Sequence, residues 1–181
     1  RMTAETAPHY LVLTDEAVEG YDPRTKMNPP LRTARDRDAL IEGIVDGTLD
    51  CLATDHAPHT EIEKDSDFDS APFGIVGLET ALGLYIKALV EPKHLSLSEL
   101  ILRLTVNPMR VLGRPGGTLE AGADADVTVF DPARKWAVRA SEFASKGRNT
   151  PFEGWELKGQ VLFTIVCGRV VYRAEGVAAS A

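Results

Sequence analysis

The chain has 181 residues, 44% of them hydrophobic and 26% charged, with a formal net charge of −7. That length admits one or two domains, and the apolar fraction excludes an intrinsically disordered chain. The acidic balance, without any basic run, argues against a nucleic-acid binder. No apolar stretch is long enough to span a bilayer, and the N-terminus carries no signal-peptide pattern. Cys51 and Cys167 lie far apart without a CxxC partner, so they read as reduced, buried residues of a cytoplasmic protein.

In chain order, residues 2–5 suggest a short strand, and Pro8 ends it in a loop. Arg1 and the residues behind it read like the middle of a longer protein. The cluster Gly20, Asp22, Pro23, Asn28, Pro29 and Pro30 marks irregular structure. Thr33 is placed to cap a helix with Leu40, Ile41, Ile44 and Val45 on one face and Gly47 at its C-terminal stop. Residues 49–54 read as a buried strand of the kind found in parallel sheets. Residues 60–74 read as an irregular acidic loop, with Glu61, Glu63, Asp65, Asp67 and Asp69 solvated.

Leu78, Leu82, Tyr85 and Leu89 recur at helical spacing, and Pro92 ends that helix. Ser96-Leu97-Ser98-Glu99 is a capping-box pattern that announces another helix with Leu100, Ile101, Leu104 and Val106 as its apolar content; Pro108 kinks or restarts it. Gly113-Arg114-Pro115-Gly116-Gly117 marks a change of character. Beyond it, residues 126–130 and 160–172 are β-rich, with Gly168 between two strands. Trp136 and Trp155 read as core or interdomain packing. The expected fold class is α/β. Residues 1–113 form the C-terminal part of a (β/α)8 TIM-like barrel, and residues 114–181 strands of a small β-sandwich domain. A whole barrel needs roughly 250 residues, and the part before Gly113 holds about two of its strand–helix units.

The stretch Asp50-Cys51-Leu52-Ala53-Thr54-Asp55-His56-Ala57-Pro58-His59 ends an apolar run on a carboxylate followed by two imidazoles. In parallel barrels the C-terminal strand edge is where active sites are built. A carboxylate there can ligate a metal and exchange protons with a bound water. His56 and His59 are open as metal ligands, substrate contacts or supporting partners.

Asp55-His56-Ala57-Pro58-His59 resembles the signature of the zinc-dependent dihydroorotases of the amidohydrolase superfamily. The likeness extends to Glu5-Thr6-Ala7-Pro8-His9, Asn28-Pro29-Pro30-Leu31-Arg32, Phe73-Gly74-Ile75-Val76-Gly77-Leu78-Glu79-Thr80, Asn107-Pro108-Met109-Arg110, Gly122-Ala123-Asp124-Ala125-Asp126-Val127 and Pro151-Phe152-Glu153-Gly154. The resemblance implies reversible hydrolysis of L-dihydroorotate to N-carbamoyl-L-aspartate in pyrimidine synthesis, with metal-bound hydroxide as nucleophile. It implies Asp55 as metal ligand and general acid/base, and Asn28, His59, Phe73 and Gly74 as substrate contacts. It also implies one or two zinc ions whose remaining ligands precede Arg1, so this segment alone should be inactive.

Glu5 matches a position where some members hold an additional metal, although a buried strand-end carboxylate more often only orients its neighbours; His9 reads as structural. The implied partners are the small-molecule substrate, the N-terminal portion of the same enzyme and further copies in a homo-oligomer, with aspartate transcarbamoylase as a further candidate. A hydantoinase- or allantoinase-type amidohydrolase, or a non-catalytic scaffold for aspartate transcarbamoylase, are the alternatives.

Overall fold

In the computed structural model, which describes residues 2–177, two short strands pair in parallel: β1 (Glu5–Thr6) and β2 (Cys51–Leu52). The β2 pairing is shorter than the strand expected over 49–54, although the chain stays extended on either side. The first strand begins at Glu5, and the segment after Pro8 is a single helical turn, α1 (His9–Val12), where a loop was expected. Proline is compatible with a helix start because its missing N–H would have no intrahelical partner there.

Between the two strands runs α2 (Ala34–Asp46). Its capping box is complete: the Asp36 N–H donates to Thr33 Oγ1 at 3.3 Å, and the Thr33 N–H donates to Asp36 Oδ2 at 3.1 Å. Such a cap contributes about 1 kcal/mol. Gly47 ends the helix with φ +85°, a left-handed conformation that costs glycine little. Ile44 is fully buried, but Val45 is half-exposed, so the inward stripe is narrower than the sequence suggested.

Residues 60–74 are not wholly irregular. They open with a one-turn helix, α3 (Glu61–Lys64), capped reciprocally by Thr60 and Glu63. Ser/Thr-x-x-Glu is the same cap signal that announces the later helix. The next helix starts later than expected, as α4 (Ala81–Tyr85), and continues as a π-helical turn over Ile86–Val90. Leu78 lies in the turn before it and is 60% exposed, so it is not part of the buried face. α5 (Leu97–Leu104) begins at the Ser96–Glu99 box, and Thr105 separates it from α6 (Val106–Val111). The break therefore precedes Pro108, which sits within the first turn of α6, where proline is tolerated.

The tail is an antiparallel sheet in the order β3 (Val127–Ala137), β4 (Glu156–Val166), β5 (Arg169–Arg173). Its register shifts between Asp131 and Lys135, around Pro132, and the Asp131 carboxylate accepts the Ala133 and Arg134 N–H groups there. Cys167 is exposed, contrary to the sequence expectation: it occupies the β4–β5 turn with φ +48°, where neither sheet face covers it.

One apolar cluster gathers Ile44, Leu52, Tyr85, Leu89 and Leu100; a second gathers Met27, Leu31, Ile75, Val76 and Leu84 with Val138, Phe143, Phe152 and Leu157. The second cluster thus takes side chains from both sides of residue 113. Trp155 packs edge-on against Phe152 at 5.1 Å between ring centroids, and Trp136 is also packed against this cluster. The buried Tyr85 hydroxyl shares its proton between the Ala53 carbonyl at 2.6 Å and the Thr6 carbonyl at 3.0 Å. It thereby ties together the chain leaving β1 and β2, which leads directly to Asp55.

Candidate active site

β2 feeds its chain into Asp55, whose φ is +49°. Aspartate tolerates the left-handed region better than most residues, yet that conformation still carries strain of about 1 kcal/mol. The turn leaves the Asp55 carboxylate 49% exposed. Two features hold the incoming strand from behind: Asn107 Nδ2 donates to the Asp50 carbonyl at 2.8 Å, and Arg103 donates to the Leu49 carbonyl at 2.7 Å.

His9 lies on the buried side of this carboxylate. It is 1% exposed, and its Nε2 is 3.5 Å from Asp55 Oδ2. That separation is not a hydrogen bond, and neither ring nitrogen of His9 has a hydrogen-bond partner. Burial lowers its pKa to about 4, so the ring is neutral at pH 7. A buried N–H without a partner costs about 1–3 kcal/mol, which makes this imidazole an exception in need of a cause. The neighbouring Tyr10 donates its hydroxyl to the Pro29 carbonyl at 2.8 Å. Burial, assisted by the Asp55 charge, pushes the Tyr10 pKa up to about 12. Tyr10 thus ties the loop carrying Asn28 to α1, and Asn28 itself is exposed.

The two histidines of the motif have separate positions. His56 Nδ1 accepts the Gly77 N–H at 3.1 Å and the Leu78 N–H at 3.4 Å. An accepting ring nitrogen carries no proton, so the proton of His56 sits on Nε2. His59 Nε2 donates to the Phe73 carbonyl at 2.9 Å, while its Nδ1 lies 3.9 Å from Glu63. His59, Phe73 and Gly74 are therefore brought together, but through one another. The Gly74 N–H is held by the Lys26 carbonyl at 2.8 Å. Gly74 has φ +98°, and a Cβ there would stand 2.5 Å from Ala57 Cβ, so only glycine fits between the two loops.

Asn149 escaped the sequence reading although it lies two residues before the Pro151-Phe152-Glu153-Gly154 motif. It is 5% exposed; its Oδ1 accepts the His59 N–H at 3.0 Å, and its Nδ2 donates to Ala57 and Gly74 carbonyls at 3.0 and 3.2 Å. Lys26 and Lys64 were missed as well. Lys26 Nζ donates to Asp69 and Ala71 carbonyls and lies 4.7 Å above the Phe73 ring, and Lys64 Nζ donates to Pro23 and Pro72 carbonyls. Polar residues in loops and single helical turns give no periodic signal, so only their contacts reveal them.

Among the described residues there is no group of three His, Cys, Asp or Glu side chains able to hold a metal ion. Asp55 offers one exposed oxygen ligand, and a complete metal site would need donors from elsewhere. Glu5 is engaged by Cys51, whose Sγ lies 3.8 Å from Glu5 Oε2.

Residues 14–171 match the profile of the amidohydrolase family. The chain belongs to the amidohydrolase family. It is 60% identical over 171 residues to a dihydroorotase from Pelotomaculum thermopropionicum, covering 94% of this chain and 40% of that protein. It is 54% identical over 174 residues to a dihydroorotase from Geobacter sp., covering 96% of this chain and 41% of that protein. An L-hydantoinase (dihydropyrimidinase) structure from Arthrobacter aurescens superposes with a TM-score of 0.87 at 32% identity, over 98% of this chain and 40% of that chain. The chain therefore spans about 40% of the length of these relatives and has the α/β fold of part of an amidohydrolase barrel. No helix among the described residues is long and apolar enough to cross a membrane.

Proposed function

We propose that this chain is part of a dihydroorotase, which hydrolyses the ring amide of L-dihydroorotate to N-carbamoyl-L-aspartate and runs the reverse cyclisation. The observation that carries this reading is the 60% identity to a dihydroorotase over 171 residues, a match long enough to include the Asp55–His59 loop. The 32% identity to the hydantoinase supports the shared fold and favours that alternative less.

In this reading Asp55 takes a proton from the attacking water and returns it to the departing amide nitrogen as the C–N bond breaks. Its half-exposed carboxylate in the turn after β2 is open to substrate, and the left-handed backbone sets its direction. A divalent metal, zinc by the family resemblance, supplies Lewis-acid activation of water when bound, with Asp55 as one ligand. His59 reads the substrate carboxylate with the donor that now meets the Phe73 carbonyl. Phe73 and Gly74 line the ring, and Asn28 reaches it from the loop held by Tyr10. Gly74 contributes close approach, since its N–H is already engaged.

The test is turnover by the complete protein. L-dihydroorotate should be hydrolysed in preference to a neutral cyclic amide, and Asp55→Asn should lower kcat by at least about a thousandfold. His59→Ala should raise KM for dihydroorotate more than it lowers kcat. Full turnover by Asp55→Asn would sink the proton-transfer role, and preference for a hydantoin would move the protein to the hydantoinases. A metal-free complete protein without turnover of either substrate would indicate the scaffold subunit.

A further inference from the structure

We propose that His9 is a positioning residue for Asp55, turning an Nε2–H donor onto the carboxylate and fixing which oxygen faces the reacting atoms. This inference deepens the dihydroorotase reading and rests on it. His9 comes from α1 and Asp55 from the turn after β2, two segments held together by the β1–β2 pairing and by the Tyr85 hydroxyl. Its ring is 1% exposed, has no hydrogen-bond partner at either nitrogen, and directs Nε2 to within 3.5 Å of Asp55 Oδ2. A shift of about half an ångström makes that approach a hydrogen bond of ordinary length.

The direction of the bond is fixed by chemistry. A carboxylate accepts, so the ring must carry a proton on Nε2 to bond it. Catalytic hydrogen bonds are often long in the resting protein and tighten when substrate binds. With Oδ2 engaged by His9, the carboxylate cannot rotate freely, and its other oxygen is presented to water and to the leaving nitrogen. A carboxylate that swings between orientations loses time in unproductive ones, so removing its partner lowers kcat while leaving ground-state binding in place. The Tyr10 ring, whose centroid is 4.1 Å from that of His9, limits how far the imidazole can turn away.

The experiment compares His9→Leu, which fills the space without a donor, and His9→Gln, whose amide restores an N–H near Nε2, in the complete enzyme. Expected is a fall in kcat of about 10–100-fold for His9→Leu with KM little changed, and recovery of most of that loss in His9→Gln. In an Asp55→Asn background the two His9 variants should no longer differ from each other. The readout independent of turnover is the 15N-imidazole spectrum of the metal-free complete protein, with His9 assigned by its loss in His9→Gln. It should show the proton on Nε2, and Asp55→Asn should shift that resonance.

A proton on Nδ1, or a kcat unchanged in folded His9→Leu, overturns the proposal; so does a His9→Gln variant as impaired as His9→Leu at a normal unfolding midpoint. Should His9→Leu fail to fold, the tautomer and His9→Gln still decide. Failure of the dihydroorotase reading shows separately, as wild-type protein that does not turn over dihydroorotate while the tautomer measurement stands.

Discussion

Lys64 is 7% exposed and places its ammonium against two backbone carbonyls, those of Pro23 and Pro72, each at 2.8 Å. Burial, reinforced by the charge of Lys26 and opposed by Asp22, lowers its pKa to about 8 from an ordinary 10.5. Proton counting sets the sign of the resulting pH dependence. Between pH 8 and 10.5 the unfolded chain keeps a proton that the folded chain has shed, so stability rises with pH across this window and is flat below it. Because other groups also titrate there, the contribution is read as the difference between wild type and Lys64→Met. Wild type should gain about 1–3 kcal/mol more than Lys64→Met between pH 7.5 and 10.5, measured from denaturant midpoints. Equal gains would mean that Lys64 reaches solvent and is not desolvated by the fold. Nothing in the letters around Lys64 hints at this, since it sits in an acidic run that reads as a solvated loop.

At the scale of elements, the legible features were those with a local physical signature. The caps at Thr33 and Ser96 are satisfied by residues three positions on, and the stop at Gly47 needs a left-handed backbone; each is a short-range rule written in adjacent letters. The Asp55 turn was legible for a similar reason, as a run of apolar residues ending on a carboxylate. The bonds that join the loops were not legible, because Asn149 reaches His59 across 90 residues and Tyr85 reaches Thr6 across 79. The orphaned ring of His9 was likewise invisible, since burial of a histidine depends on what the whole chain packs around it. Asn149 gives the corresponding prediction. Asn149→Ala leaves the His59 N–H and the Ala57 and Gly74 carbonyls without this partner, and should destabilise the complete protein by about 2–4 kcal/mol. Asn149→Asp should do no better, because a second carboxylate oxygen would face two carbonyls where an amide donor stood. A denaturant midpoint within error of wild type for either variant would show that water replaces Asn149 at no cost.

For the whole molecule, the decisive feature is how much apolar surface the described chain leaves open. Ile62 is 87% exposed, Leu119 83% and Leu112 66%, and every residue of β5 is exposed, with Val170, Val171 and Tyr172 at 58%, 62% and 48%. An uncovered strand edge is a template for pairing with another chain, and contiguous apolar surface favours association. The parallel pair β1–β2 joins only two residues on each side, too few to be stable by itself. We propose that the barrel portion ends near residue 113, but Val138, Phe143, Phe152 and Leu157 pack into the same cluster as Leu31 and Val76, so the two portions should not unfold independently. Expressed alone, residues 1–181 should therefore be inactive on dihydroorotate, bind a hydrophobic dye, and elute as concentration-dependent assemblies by light scattering. Calorimetry should give one broad transition of low enthalpy in place of a sharp one. A monomer with a sharp transition and no dye binding would show that these faces are tolerated in water, and that the two clusters suffice as a core. Inactivity without association would instead locate the deficit in the site, where the described residues hold no group of three metal donors, and leave the packing sound.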